Sequence, residues 1–284
     1  MPRWTVDAPT RFDFDDVTTL QVRLIDGTVA VLATDDSPSI VVSGIHGRPL
    51  QVSYEDGALT VGYEVLSWER LLDWLNPVHD SAAITITVPA DCRIQLGVVS
   101  ASAVVCGLNS GAAVKSVSGE ITLDGVAGHV QADTVSGALD ARDVDGTVCF
   151  KSVSGGLTLA DGALTLLEAD SINGQIAADV SLDASGRMRI STISGDVTVR
   201  LPADSDARVR LHSTSGNVRS EFDALRTSMS PGSHTVSGNV GGGSGNVSVN
   251  SVSGAVTLLR RPGRRTTPRV VPTRTEAEME SETR

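Results

Sequence analysis

Aromatic residues are scarce in this chain, at 3% of 284 residues, and seven of the nine lie before residue 91. A globular core of this length normally draws on Phe, Tyr and Trp for volume, so the later two thirds must be packed another way. Cysteine is also rare: Cys92, Cys106 and Cys149 form no CxxC pair. That excludes a disulfide framework or thiolate zinc site and suits a reducing compartment. The five histidines (His46, His79, His129, His212 and His234) are scattered without metal-ligand spacing, and no GxSxG elbow is present. No apolar run approaches the ~20 residues of a membrane helix. The opening MPRWTVDAPTRFDFDD lacks a basic segment followed by an apolar run of about 7–15 residues. The expectations are a cytoplasmic location, no direct membrane insertion, no catalytic residue, no metal and no cofactor.

Charge is unevenly placed. Before Arg260 there are 16 basic and 30 acidic residues, net −14, whereas residues 260–284 hold seven Arg and four Glu. An acidic body argues against nucleic acid and against adsorption to anionic lipid. The tail has three prolines and little to bury, so residues 260–284 are expected to be disordered.

One short phrase recurs: SVSG at 116–119, TVSG at 134–137, SVSG at 152–155, SING at 171–174, TISG at 192–195, STSG at 213–216, TVSG at 235–238 and SVSG at 251–254. Its glycines step by 18, 18, 19, 21, 21, 22 and 16 residues. A near-fixed period signals a repeat architecture. From Val117 to Asp161 the period halves into nine-residue units, each reading apolar, x, Gly, x, apolar, x, apolar, x, x. In extended chain alternate residues share a face, so Val117, Gly119, Ile121 and Leu123 point one way and Ser118, Glu120 and Thr122 the other. Val126, Gly128, Val130 and Ala132 repeat that parity. Such strands bury their apolar face only by stacking on the next coil. The predicted fold is all-β: a β-solenoid, or parallel β-helix, of about 18–22 residues per coil. Val135 and Val153, with Leu139 and Leu157, should form inward ladders. The longer steps after Asp161 read as turn insertions on a continuing solenoid, and the glycines at 241–243 as a loosened turn.

Residues 1–90 read as a β-rich capping region, residues 91–259 as the repeat solenoid continuous with it. One segment has a helical pattern: Ser67 can cap, and Trp68, Leu71, Leu72 and Leu75 recur at helical spacing before Asn76-Pro77. With Trp74 these five are the candidate partner-binding residues, although the same stripe would serve as a plain cap.

Val88-Pro-Ala-Asp91 is echoed by Leu201-Pro-Ala-Asp204, each after an alternating strand. Proline at a strand end removes a ladder donor and suits a corner. With this echo and the serial SVSG units, the chain resembles the bacterial "putative-adhesin" β-strand-repeat family, a domain of unknown function, over roughly residues 15–259. The resemblance implies a β-solenoid without catalytic residues and an association with the cell envelope or envelope stress.

Other solenoid chemistries fit less well. Calcium β-rolls need GGxGxD, and here Asn246 stands where the carboxylate belongs. Polysaccharide-cleaving β-helices need clustered carboxylates, whereas Glu120, Asp140, Arg142 and Lys151 are interspersed with Ser and Thr. Three readings follow: a non-catalytic scaffold with protein partners, a self-associating cytoskeletal solenoid like bactofilins, and a carbohydrate-binding or carbohydrate-active β-helix.

Overall fold

Two stacked walls of short strands form the molecule. A computed structural model describes residues 2–63 and 80–261, and among these lie 22 β-strands and no helix. The central coils are the long strands β12 (Ile121–Thr134), β13 (Leu139–Ser152), β14 (Leu157–Ser171) and β15 (Ile176–Thr192), which pair in parallel, one coil on the next. Each begins in one wall, bends, and finishes in the other. Inward Val, Leu and Ile stack at every coil. One ladder runs Ile121, Leu139, Leu157, Ile176, Val197, Val256, Val218 through successive register partners, all buried. A side chain of this size contributes roughly 1.5–3 kcal/mol on full burial, which lets aliphatic ladders replace an aromatic core.

The ladder order shows that the coils are not stacked in chain order. The last coil, β21 (Gly245–Ser251) and β22 (Val256–Arg261), is wedged between two earlier ones. β21 pairs with β15 on one side and β17 (Ala207–Ser213) on the other. β22 lies between β16 (Val197–Pro202) and β18 (Val218–Ser220). Beyond β17 the wall closes with antiparallel β20 (Ser233–Val240) and then β19 (Arg226–Ser230). The steps after Gly195 are therefore not simple turn insertions.

The opposite end repeats the device. The first coil, β3 (Thr19–Leu24) and β4 (Asp26–Ala33), sits between an outer coil, β7 (Ala58–Gly62) and β8 (Ser81–Val88), and the inner β9 (Arg93–Val98) and β10 (Ser102–Cys106). β11 (Ala112–Ser116) then joins β9 to β12. Antiparallel strands finish the end: β6 (Leu50–Glu55) and β1 (Arg3–Val6) on one wall, β5 (Ser39–His46) and β2 (Thr10–Asp13) on the other.

The Pro-Ala-Asp echo now has a physical meaning. Both copies carry the chain past an inserted coil: the first from β8 to β9 across β3–β4, the second from β16 to β17 across β21–β22. At each of these corners the chain crosses two strand spacings, about 9.6 Å. A matching backbone turn closes each, with Cys92 N–H donating to the Pro89 carbonyl (3.0 Å) and Ser205 N–H to that of Pro202 (3.1 Å).

Candidate interaction surfaces

Every letter of the repeated phrase has a distinct job. The first Ser or Thr points inward: Ser116, Thr134, Ser152, Ser171, Thr192, Ser213 and Ser251 are all buried. At three of these positions the hydroxyl accepts a hydrogen bond from within the turn. Gly174 N–H donates to Ser171 Oγ (2.8 Å), Gly195 N–H to Thr192 Oγ1 (3.0 Å) and Gly216 N–H to Ser213 Oγ (2.9 Å). The closing glycine is inward as well, because a Cβ on Gly155 would sit 2.0 Å from the Gly137 carbonyl oxygen. The third residue faces out, and its hydroxyl donates across the coil: Ser136 Oγ to the Val117 carbonyl (3.1 Å), Ser253 Oγ to that of Ile193 (3.1 Å).

The second residue overturns the parity expected from alternation. Val135 is 48% exposed and Val153 43%. Leu139 and Leu157 are buried partners as expected. Strict alternation fails at this corner because two successive residues, not one, face out between the inward hydroxyl and the inward glycine. At the opposite corner Val126 and Val144 stay buried, while Gly128 is exposed at φ 103°. The nine-residue halves are thus alike in sequence and unlike in structure. The phrase at 235–238 is no corner at all, since it lies within β20 with Val236 buried.

The consequence is an apolar spine. Val135, Val153, Ile172, Ile193 and Val252 line one edge of the solenoid, one per coil, each 43–50% exposed. About 4.8 Å separates neighbours. Folding does not require them to be apolar, as Thr214 holds the same place in its own coil and is exposed.

Two further features mark the wall that carries β3, β9, β11 and the second half of β12. A shallow open depression of about 340 Å3 lies among Gln21, Arg23, Gln95, Lys115, Gln131 and Asp133. The wall dips there because Gly97 and Ala113 hold register places beside longer side chains. Farther along, arginines gather on β15, β17 and β19. Arg189, Ser248, Arg210, Ser237 and Arg226 form one row of register partners, and Arg187, Asn246, Arg208 and Asn239 the row beside it.

No group of three or more His, Cys, Asp or Glu among the described residues could hold a metal ion. Burial pushes the Cys92 thiol up to about 11, with the charge of Asp16 adding to it. Burial likewise raises the Cys106 and Cys149 thiols, so none is a ready thiolate nucleophile. His212 shares a hydrogen bond with Thr235 Oγ1 (3.2 Å), and His129 is exposed on the wall. The glycine turn at 241–243 is clamped rather than loose. Ser244 Oγ donates to Asp206 Oδ2 (2.7 Å), Ser244 N–H to Oδ1 (3.2 Å), and Gly243 N–H also donates to Oδ1. Trp68, Leu71, Leu72, Trp74 and Leu75 lie outside the described residues, as does the tail beyond Arg261.

No described helix is long and apolar enough to cross a membrane. Among curated proteins nothing matches the chain. It is similar to solved structures of low identity. One is described as a "putative adhesin" from Bacteroides fragilis (12% identity, 88% of this chain and 97% of that one, TM-score 0.42). Another, a "putative adhesin" from Parabacteroides distasonis, shares 11% identity over 89% of this chain and 96% of that one, with a TM-score of 0.43. A "putative lipid binding protein" from the same organism shares 13% over 89% and 97%, at 0.40. Residues 21–259, which hold every coil from β3 to β22, match the family described as Toastrack DUF4097, and the chain belongs to that family.

Proposed function

We propose that the protein is a non-catalytic interaction scaffold that presents its solenoid edge to a protein partner in the setting of the cell envelope. The observation that carries this reading is the apolar spine. Five half-exposed β-branched side chains at regular spacing, with outward serines beside them, are more than the fold needs and offer a straight apolar track. A chain of extended backbone or an apolar helix face would meet them in register. Changing Val135, Val153 and Ile172 together to Thr tests this. The variant is expected to melt like the parent, since each side chain is about half in water already, and to lose its co-purifying protein. A parent-like complex with the variant would remove the spine from consideration. The Trp68 and Trp74 segment is a second candidate contact, separable from a capping role by Ala substitution: intact folding with loss of the complex means docking.

A sugar-binding reading draws on the amide row of Gln21, Gln95 and Gln131, where Gln21 Nε2 donates to Gln95 Oε1 (3.4 Å). It lacks an aromatic stacking face at that depression, since none of the residues lining it is aromatic. End-to-end assembly is opposed at the N-terminal end, where antiparallel β1 and β2 cover both walls.

A further inference from the structure

Charge in this molecule is segregated along the stack. Residues 1–186 hold 9 basic and 25 acidic residues, net −16, whereas residues 187–261 hold nine Arg and five acidic residues, net +4. Register concentrates that excess. Arg187 and Arg189 stand on β15, Arg208 and Arg210 on β17, and Arg226 on β19, all facing out from one wall and all exposed. No ion pair among the described residues engages any of the five. Neighbouring arginines along a row lie two strands, about 9.6 Å, apart, and the rows about 7 Å apart. Ser248, Ser237, Asn246 and Asn239 fill the places between. Glu168, the register partner of Arg189 on β14, marks the acidic boundary.

We propose that this pole docks onto an anionic phospholipid surface. Three observations favour a lipid plane over other polyanions. The face is one continuous sheet wall with small polar residues between its charges, so its arginines meet a plane of headgroups together. Apolar side chains rim it: Met229 is 66% exposed on the last strand, and Ile193 and Val252 stand half-exposed where β15 and β21 end. Arg264, Arg265, Arg269 and Arg274 follow Arg261 in sequence with the same sign, and clustered arginines are what an anionic leaflet attracts. Single-stranded nucleic acid would want stacking partners, and β15, β17, β19, β20 and β21 contain no Phe, Tyr or Trp. The acidic half is no obstacle once the molecule stands on its basic end. One wall is 14 strands, roughly 60 Å long at about 4.8 Å each, against a Debye length of about 8 Å. The face shares Ile193 and Val252 with the spine, but the proposal does not rest on the scaffold reading, because its charges are the five arginines and the spine is tested at Val135, Val153 and Ile172 on other coils.

The test is sedimentation of the full chain with vesicles of phosphatidylcholine alone, or of phosphatidylcholine and phosphatidylglycerol in equal parts. Binding is expected with the mixed vesicles only, and should be released by salt. The exposed triple change R189Q/R208Q/R210Q should weaken it about a hundredfold, near tenfold or less per charge, while melting like the parent. R142Q, on an acidic corner of a central coil, should leave binding unchanged. Equal binding to neutral vesicles, or an unaffected triple variant, would overturn the proposal. So would retention on DNA at a salt concentration that strips the vesicles, which would assign the face to nucleic acid.

Discussion

The two ends of the solenoid use the same topology and different chemistry. At each, the terminal coil of the chain is wedged inside the stack and a Pro-Ala-Asp corner steps over it. The N-terminal end is sealed by aromatic packing, with Trp4 against Phe12 (5.3 Å between rings) and Phe14 against Tyr54 (5.1 Å). It also holds a fully buried Asp80, which accepts from Arg48 N–H (2.8 Å) and Arg48 Nε (2.7 Å). The C-terminal end has a clamped glycine turn and finishes on β19, whose five residues are all exposed. The difference teaches that topology alone does not close a solenoid: the acidic end is closed by a core, whereas the basic end keeps an open strand and an open charged face.

The largest expected effect lies at the sealed end. Arg48→Ala would strand a buried carboxylate and should cost about 3–5 kcal/mol in chemical denaturation. A loss within about 1 kcal/mol would mean that Asp80 is not part of that seal. Next comes the wedged coil at the other end. A Cβ on Gly254 would meet the Gly195 carbonyl oxygen at 2.0 Å, whereas on Gly238 the nearest atom is at 3.1 Å. Gly254→Ala should therefore cost about 3 kcal/mol or more and Gly238→Ala clearly less, although both close the same four-letter phrase. Equal losses would show that the last coil is not stacked on Gly195.

The ends should also fail at opposite extremes of pH. Cys92 is raised from near 9 to about 11, chiefly by burial. A raised acid contributes stability that is complete below its ordinary value and is lost as pH climbs through about 11. Asp206 is lowered, first by the hydrogen bond from Ser244 Oγ, so its contribution is present at neutral pH and lost as pH falls through its folded value. Amide exchange is expected to quicken first around Gly243 in acid and around β9 in alkali, and the reverse order would break the contrast. The smallest effect belongs to the shared middle: Val153→Asp, on the spine, should change stability by about 0.5 kcal/mol or less.

The fold class was legible because period and turn chemistry coincide in SVSG, and one repeated phrase leaves few architectures. The orientation of its second residue was not. Alternation assumes one residue per face, and a corner that turns two residues outward resets the count without changing composition. Coil order was hidden for another reason. Nothing in VSVNSVSG at 247–254 differs locally from its neighbours, and only the register to β15 and β17 shows where it lies. The Pro-Ala-Asp echo was visible, but its meaning required knowing what it steps across. The arginine face was invisible because its rows join residues as far apart in sequence as Arg189, Arg210 and Arg226, scattered in an acidic chain.

The wedged last coil has a bearing on synthesis. A ribosome delivers residues in order, N-terminal parts first, so β17 and β18 emerge before the strands that separate them from β15 and β16. Until β22 clears the exit tunnel, β15 and β16 on one side and β17 and β18 on the other lack the strands that pair with them in the finished fold. A stalled or shortened product ending before Gly245 would never supply those partners, and unpaired strand edges accept a strand from another chain.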